Sequence, residues 1–255
     1  ELRAATLRLQ ELDRLKDDFM SSVTHELRTP LAAIRAFSEI LFEDPEIELG
    51  ERKRFLGILV SETERLSRLV NQVLDLAKIE SGHADWLIEQ VDLKEVIAQA
   101  AASTGQLIQG RGATLTIDVH GADATGLGQG PAWVMADRDR LVQVLVNLLA
   151  NAAKFVPANN GEVTVRLSRA SAHWRVSVAD NGPGIPAAEL DLVFEKFRQA
   201  ASGGEKPIGT GLGLPISRQI VENFGGRIWA EASVARGATL CFELPMLTAE
   251  TAAAA

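Results

Sequence analysis

Apolar side chains in the first 80 residues fall at Leu2, Ala5, Leu9, Leu12, Phe19, Val23, Leu27, Ile34, Phe37 and Leu41, with Lys16 and Pro30 filling two seam positions between them. Steps of three and four alternate, the period of a helix that buries one stripe. Phe19, Val23 and Leu27 break the alternation with two steps of four in a row, a stutter that locally unwinds a left-handed supercoil. A second stretch repeats the pattern, with Leu59, Leu66 and Val73 on one heptad position and Phe55, Glu62, Leu69 and Leu76 on the other. The pattern lapses over Glu43–Gly50, so it predicts a helical hairpin. Two such hairpins bury their seams best as a dimeric four-helix bundle.

Beyond Ser81 and Gly82 the period changes to mixed helix and strand. Residues Leu93–Ser103 read as a helix, Ala113–Val119 and Trp133–Ala136 as strands, and Asp137–Phe155 as a helix opened by an aspartate cap. Two β-branched runs, Glu162–Ser168 and Trp174–Ala179, predict a hairpin, and Arg227–Ser233 with Ala238–Leu244 predicts another. The glycine-rich stretch Asp180–Ile220 lies between them and ends in a helical pattern at Ile216–Phe224. The fold class expected is therefore an all-α hairpin followed by an α+β sandwich.

Composition adds exclusions. With 255 residues, 46% hydrophobic and 24% charged, the chain has the profile of a globular protein and not of a disordered or collagenous one. No apolar run approaches the roughly 20 residues of a membrane span, and no signal peptide opens the chain. It starts without methionine inside a heptad pattern, so a fragment of a longer protein is expected, with upstream domains, membrane spans included, left open. The net charge of −8 is evenly spread, residues 1–80 holding 12 basic and 16 acidic groups, and neither part offers a basic face for nucleic acid. Cys241 sits alone in the apolar run Ala238–Leu244, which predicts a buried structural thiol and a reducing, cytoplasmic setting.

Four groups of residues carry candidate chemistry. His25 falls at heptad position f, away from the seam of Met20, Val23, Leu27, Ile34, Phe37 and Leu41, so its imidazole is expected in solvent. Thr29 shares its face one turn on and can position a water. Glu26 is adjacent and long enough to curl toward an imidazole nitrogen. Pro30 removes a helical hydrogen bond at a cost of about 3 kcal/mol, which predicts a kink. On the helix ending at Phe155, Asn147, Asn151 and Lys154 share one face, and amides with an ammonium suit Mg²⁺ and phosphate oxygens; a solvated polar stripe is the plainer alternative. Asp180, at a strand end before Gly182 and Gly184, can accept a hydrogen bond from an exocyclic amine such as that of adenine, although a plain Asn-Gly turn has the same sequence. Gly209-Thr210-Gly211-Leu212-Gly213-Leu214 leads into a helix, where backbone amides form an anion site. It lacks the strand of a dinucleotide fingerprint and the Lys-Ser/Thr ending of a P-loop.

In combination these motifs resemble the sensor histidine kinases of two-component systems. Thr24-His25-Glu26-Leu27-Arg28-Thr29-Pro30-Leu31 is similar to the family's H-box and Asn147 through Phe155 to its N-box. Asp180 to Gly184 is similar to the G1 box, Phe194-Glu195-Lys196-Phe197 to the F-box, and Gly209 to Leu214 to the G2 box. All five stand in family order within about residues 15–245. The resemblance implies a signalling coiled-coil helix over residues 1–18, a dimerisation and histidine-phosphotransfer hairpin over 19–82, and a linker over 83–91. A Bergerat-type (GHKL) ATP-binding domain follows over 92–246, then a disordered tail over 247–255. It makes His25 the phosphoacceptor, Glu26 its base, and Thr29 an aid to dephosphorylating a partner. It makes Asn151 the Mg²⁺ ligand, with Asn147 and Lys154 in the metal and phosphate environment, Phe155 an adenine wall and Asp180 the acceptor for the adenine amine. Gly182, Gly184, the Gly209–Leu214 loop and Thr239 complete the ATP contacts. Residues 186–213 become a lid clasped by Phe194 and Phe197. The implied partners are a second copy, a response-regulator receiver and an upstream sensor domain.

One departure bears on the site. Arg198 and Gln199 follow Phe197 where relatives carry an aromatic residue and then an arginine that reaches the phosphates; Arg198 or Lys206 is left to take that role. Two rival functions compete: an ATP-hydrolysing clamp of the same fold, and a dimeric scaffold without catalysis. The clamp ATPases resemble one another in a glutamate at the position of Asn147, whose amide lacks the basicity to activate water. The scaffold reading is opposed by the complete set of nucleotide motifs.

Overall fold

The computed structural model describes residues 2–119, 130–196, 210–232 and 237–247, and for residues 2–5, 7–16, 18 and 19 the backbone alone. The chain forms two compact units, Glu1–Gly82 and His83–Ala255.

The first unit is the expected helical hairpin. Helix α1 runs over Leu2–Glu43 and α2 over Leu49–Glu80. They pack along the predicted stripes: Val23 on α1 and Leu69 and Leu76 on α2 are buried, and the rings of Phe37 and Phe55 stand 5.2 Å apart. Helix α1 continues thirteen residues past Pro30 to Glu43, with Pro30 itself buried. The ring removes one donor, to the carbonyl of Glu26, and packing of the flanking turns holds the helix together across that single gap. Met20, counted in the seam, is 53% exposed, because α1 and α2 cover one stripe of each other and leave the remaining apolar surface open. On α2 that open surface includes Leu56, Val60, Val70 and Leu74, again at heptad spacing.

The second unit is an α/β sandwich. Five strands, β2 (Ala113–Asp118), β4 (Gly161–Ala170), β5 (His173–Asp180), β6 (Arg227–Ala232) and β7 (Ala238–Pro245), form one sheet in the order β2-β4-β5-β7-β6. The β2–β4 pair is parallel and the others are antiparallel. A separate two-stranded ladder pairs β1 (Glu89–Asp92) with β3 (Trp133–Ala136). Helix α4 (Arg138–Phe155) lies at the centre, packed on α3 (Leu93–Gly110), α5 (Gly213–Asn223), β4 and β5. Its inner face, Leu141, Leu145, Leu148 and Leu149, meets Ile97 and Ile108 of α3, Ile220 of α5 and the sheet residues Val163, Val165, Val176 and Phe242 in one fully buried core. β4 shows the period of two, Gly161, Val163, Val165 and Leu167 pointing inward between exposed or half-exposed neighbours.

β7 is buried on both faces. Its outer side carries Glu243, held by Arg227 Nε at 2.7 Å and Arg175 Nη2 at 3.5 Å, and both guanidinium groups lie over the Trp229 ring at 4.7 and 5.0 Å. Cys241, opposite Trp229 in register, is buried as expected, and desolvation foremost pushes its thiol up to about 12. The tail after Leu247 lies outside the described residues. No helix among the described residues is long and apolar enough to cross a membrane.

Candidate functional site

The candidate residues gather at two places, one in each unit. On the hairpin, the imidazole of His25 is 71% exposed, as a position opposite the seam requires. Glu26 does curl toward it: Oε1 stands 3.9 Å from His25 Nδ1. The other oxygen, Oε2, lies 3.6 Å from Nη2 of Arg65 on α2, while Nη1 of Arg65 lies 3.7 Å from Oε2 of Glu62. These are ion pairs longer than hydrogen bonds. The side chains of Glu26, Glu62 and Arg65 are each about a quarter exposed, so they form a half-buried charged layer beneath the imidazole. Thr29 is one turn below His25, as expected, but its hydroxyl is engaged: Oγ1 donates to the carbonyl of His25 at 3.3 Å. Back-bonding of this kind satisfies a threonine in mid-helix until a stronger partner competes for the hydroxyl.

In the sandwich, α4 ends and β5 ends at the same place. Asp180 closes β5, and its Oδ1 accepts from the amides of Gly182 at 2.8 Å and Ala238 at 3.3 Å. Oδ2 has no partner among the described residues. Burial raises the pKa of this carboxyl above the usual carboxylate range, and the two amide bonds oppose that rise. The glycines around it are required by close approach. A Cβ on Gly182 would stand 2.6 Å from the Phe155 carbonyl oxygen and 2.8 Å from Asp180 Oδ1, and Gly184 has φ +85° with the Gly237 carbonyl against it. Asn181 does local work that its place in the motif did not announce: Oδ1 accepts from the Glu162 amide at 2.9 Å and Nδ2 donates to the Asn160 carbonyl at 2.7 Å, tying the loop to the start of β4.

On α4, Asn147 and Asn151 lie one turn apart. Asn147 Nδ2 donates to Ser217 Oγ of α5 at 3.0 Å, and its Oδ1 fills the space that a Cβ on Gly213 would need. The first turn of α5 is thus seated on Asn147. The Asn151 side chain has no hydrogen-bond partner among the described residues. Lys154 places Nζ 4.6 Å above the Phe155 ring, and burial lowers its pKa. Helix α5 begins at Gly213, earlier than the pattern at Ile216 predicted, since Pro215 fits the first turn of a helix. Thr210 Oγ1 accepts from the Leu212 amide at 3.3 Å, Gly211 has φ +67°, Leu212 is buried and Leu214 is half-buried. Thr239 on β7 pairs with Ala179 beside Asp180. Phe194 is buried in a short 3₁₀ turn, Leu192–Phe194. Phe197, Arg198, Lys206 and Gly209 lie outside the described residues.

The donor set fits a purine nucleotide. A half-buried carboxylate keeps one oxygen for an amine, Phe155 supplies an apolar surface nearby, and desolvated Lys154 stands one position before it. For Mg²⁺, the unengaged amide oxygen of Asn151 is a hard donor, and the described residues hold no cluster of three or more acidic, histidine or cysteine side chains to cage a metal. An ion held there would draw its other ligands from phosphates and water, the usual habit of Mg²⁺.

Residues 15–82 match the His Kinase A (phospho-acceptor) domain, and residues 136–248 match the histidine kinase-, DNA gyrase B-, and HSP90-like ATPase family. The chain is 33% identical to sensor histidine kinase WalK of Bacillus subtilis over 92% of its own length and 38% of that protein's. It therefore spans about two-fifths of that relative. Among solved structures it is similar to the mycobacterial sensor histidine kinase MprB, 33% identical with a TM-score of 0.52, over 62% of this chain and 98% of that one. It is also similar to histidine kinase ThkA, solved in complex with the response regulator protein TrrA, at 26% identity and a TM-score of 0.69 over 93% of this chain and 64% of that one.

Proposed function

Because the chain belongs to the sensor histidine kinase family, we propose that it is the autokinase core of such a sensor. It binds ATP in the sandwich, moves the γ-phosphoryl group to His25, passes that group to an aspartate of a response-regulator receiver, and in another state dephosphorylates the regulator. The observation that carries this reading is His25 itself: an exposed imidazole with a carboxylate at Nδ1, on a chain whose second unit offers an amine-accepting Asp180 framed by glycines.

The chemistry follows from the residues. Glu26 Oε1 faces Nδ1, so it accepts the proton there and leaves the lone pair of Nε2 to attack the γ-phosphorus. The bond from that phosphorus to the β-phosphate oxygen breaks, ADP leaves, and the proton on Nδ1 passes to Glu26. This is phosphoryl transfer governed by positioning and charge neutralisation. Mg²⁺, when bound, neutralises charge on the phosphate oxygens. Asn151 would be its protein ligand, while Lys154 adds a partly desolvated cation, Asp180 Oδ2 accepts from adenine, and Phe155 covers the ring. Asn147 seats α5, which brings the Thr210–Leu214 backbone to the phosphates; the family resemblance adds Gly209, Arg198 and Phe197 to the ATP contacts. The clamp reading is opposed at Asn147, a neutral amide already bonded to Ser217.

On this reading residues 1–18 relay a signal, 19–82 dimerise and carry the phosphohistidine, 83–91 link, and 92–246 bind ATP. The partners are a second copy, a receiver domain and an upstream sensor, and the setting is the cytoplasm. Incubation with γ-labelled ATP and Mg²⁺ is expected to give one acid-labile phosphorylated residue, His25, and none in His25→Gln. Acid-labile label persisting in His25→Gln would refute the assignment.

A further inference from the structure

Arg65 lies on α2, outside every motif the sequence announced. Its guanidinium stands between two carboxylates, Glu26 of α1 at 3.6 Å and Glu62 of its own helix at 3.7 Å. Glu26 in turn is divided between Arg65, through Oε2, and His25, through Oε1 at 3.9 Å. Glu62 occupies a seam position of α2, where an apolar residue is the rule, so the hairpin carries a charged layer at the level of His25 and nowhere announces a packing reason for it.

Glutamate has three rotatable bonds, and one adjacent in sequence to its histidine does not face it by helix geometry alone. Something must hold the carboxylate turned toward the imidazole. The planar fork of an arginine suits that task because it grips one oxygen while leaving the second free. We propose that Arg65 is a positioning residue for phosphotransfer, holding Glu26 by Oε2 so that Oε1 stays on Nδ1 of His25. The proposal rests on the reading of His25 as phosphoacceptor. The second carboxylate, Glu62, lies against the other terminal nitrogen of Arg65 and takes no part in turning Glu26, and each of the contacts joins neighbours within the hairpin.

Four substitutions, one pair of them combined, and two readouts test it. In the chain without nucleotide, ¹⁵N resonances of His25 report its tautomer: the parent is expected to hold the proton on Nδ1, and Arg65→Gln to move population toward Nε2–H, as Glu26→Gln does. With ATP and Mg²⁺, Arg65→Gln is expected to lower the autophosphorylation rate about tenfold or more with the KM for ATP unchanged, a fraction of the 10²- to 10⁴-fold that a positioned base contributes. Arg65→Lys, which keeps the charge, recovers most of that rate, and Arg65→Gln adds no further loss in a Glu26→Gln background. Glu62→Gln, which removes the other partner of Arg65, keeps the parental rate; a loss equal to that of Arg65→Gln would mean that the layer serves packing alone and would overturn the proposal. A parental tautomer and rate in Arg65→Gln would overturn it while leaving His25 as acceptor. Absence of label on parental His25 would overturn both.

Discussion

Asp180 carries opposing demands. Its carboxylate is desolvated, which raises its pKa, so an ionised Asp180 costs the folded state stability once pH rises through the folded value, and that cost is in force at neutral pH. Asparagine can accept the same amide bonds from Gly182 and Ala238 through its own Oδ1 while replacing the unengaged oxygen with a donor. Asp180→Asn is therefore expected to melt at the same temperature as the parent or higher without nucleotide, and to bind ATP at least about tenfold more weakly, because a charged acceptor for the adenine amine becomes a second donor. Thermal melts with and without ATP measure both; a lower apo melting temperature with unchanged ATP affinity would contradict the assignment. Asn151→Ala should abolish autophosphorylation and leave the apo melt near the parent's, its side chain having no partner among the described residues to lose. Cys241 offers a check on burial alone: with its thiol pushed up to about 12, it should resist alkylation at pH 8 in the folded chain and react on denaturation.

What was readable at this scale was what spacing encodes. His25 on an outward face, the asparagines one turn apart and Asp180 at a strand end each follow from the period of the element that bears them. Ser217, the partner of Asn147, lies 70 positions away, and Arg65 reaches Glu26 across the hairpin turn, so neither left a local pattern to read. Thr29 shows the opposite limit. Its face was legible, but the hydroxyl's bond to the His25 carbonyl was not, since a rotatable hydroxyl takes whatever acceptor packing offers. Thr29→Ala should keep kinase activity and lose the ability to dephosphorylate the regulator, measured as release of phosphate from purified phospho-regulator.

Among elements, the helix caps and the short ladder show how the sandwich is closed at its entrance. Asp137 was legible as the cap of α4, and its Oδ1 accepts from the Arg140 amide at 3.2 Å. Its Oδ2 also accepts from the Leu87 amide at 3.0 Å, which straps the segment entering β1 onto the helix start. Trp86, one residue earlier, meets Phe224 edge to face at 5.3 Å and lies under Arg140 at 5.8 Å. Strand β1 itself escaped the sequence because Glu-Gln-Val-Asp is too short and polar to alternate, and only Val91 is buried. Helix α3 outran its expected end at Ser103 for a related reason. Thr104 and Gly105 are weak helix formers, yet the Thr104 hydroxyl donates to the Ala100 carbonyl at 2.8 Å, and Ile108 beyond them belongs to the core. Asp137→Ala removes a cap and a strap together, so it should destabilise the second unit by about 2 kcal/mol, the upper end for a lost cap, read as a lower midpoint in urea.

At the scale of the whole molecule, the apolar stripe of Leu56, Val60, Val70 and Leu74 and the stutter at Phe19, Val23 and Leu27 bear on how a signal reaches His25. The stripe is the surface on which a second hairpin is expected, and Val60→Asp with Leu74→Asp should yield a monomer by sedimentation. The stutter lies within six residues of His25, and the carbonyl of Glu26, in its last step, has lost its helical donor to Pro30. Helix α1 runs unbroken from Leu2 through both irregularities, so a rotation or shift applied upstream is carried into this stretch and not absorbed in a loop. A stretch with a mismatched heptad and a missing hydrogen bond is where two packings differ by only a few kcal/mol, which is what a bistable relay needs. Register is then the transmitted quantity. Deleting three residues, or inserting four, between Leu12 and Phe19 rotates the upstream seam by roughly 50° and should fix the ratio of kinase to phosphatase activity at one extreme. Inserting seven restores the register and should restore the parental ratio, since one heptad returns the seam to its face. Equal autophosphorylation rates in all three chains would mean that the stutter only splices two coiled-coil registers and that the signal enters the hairpin elsewhere.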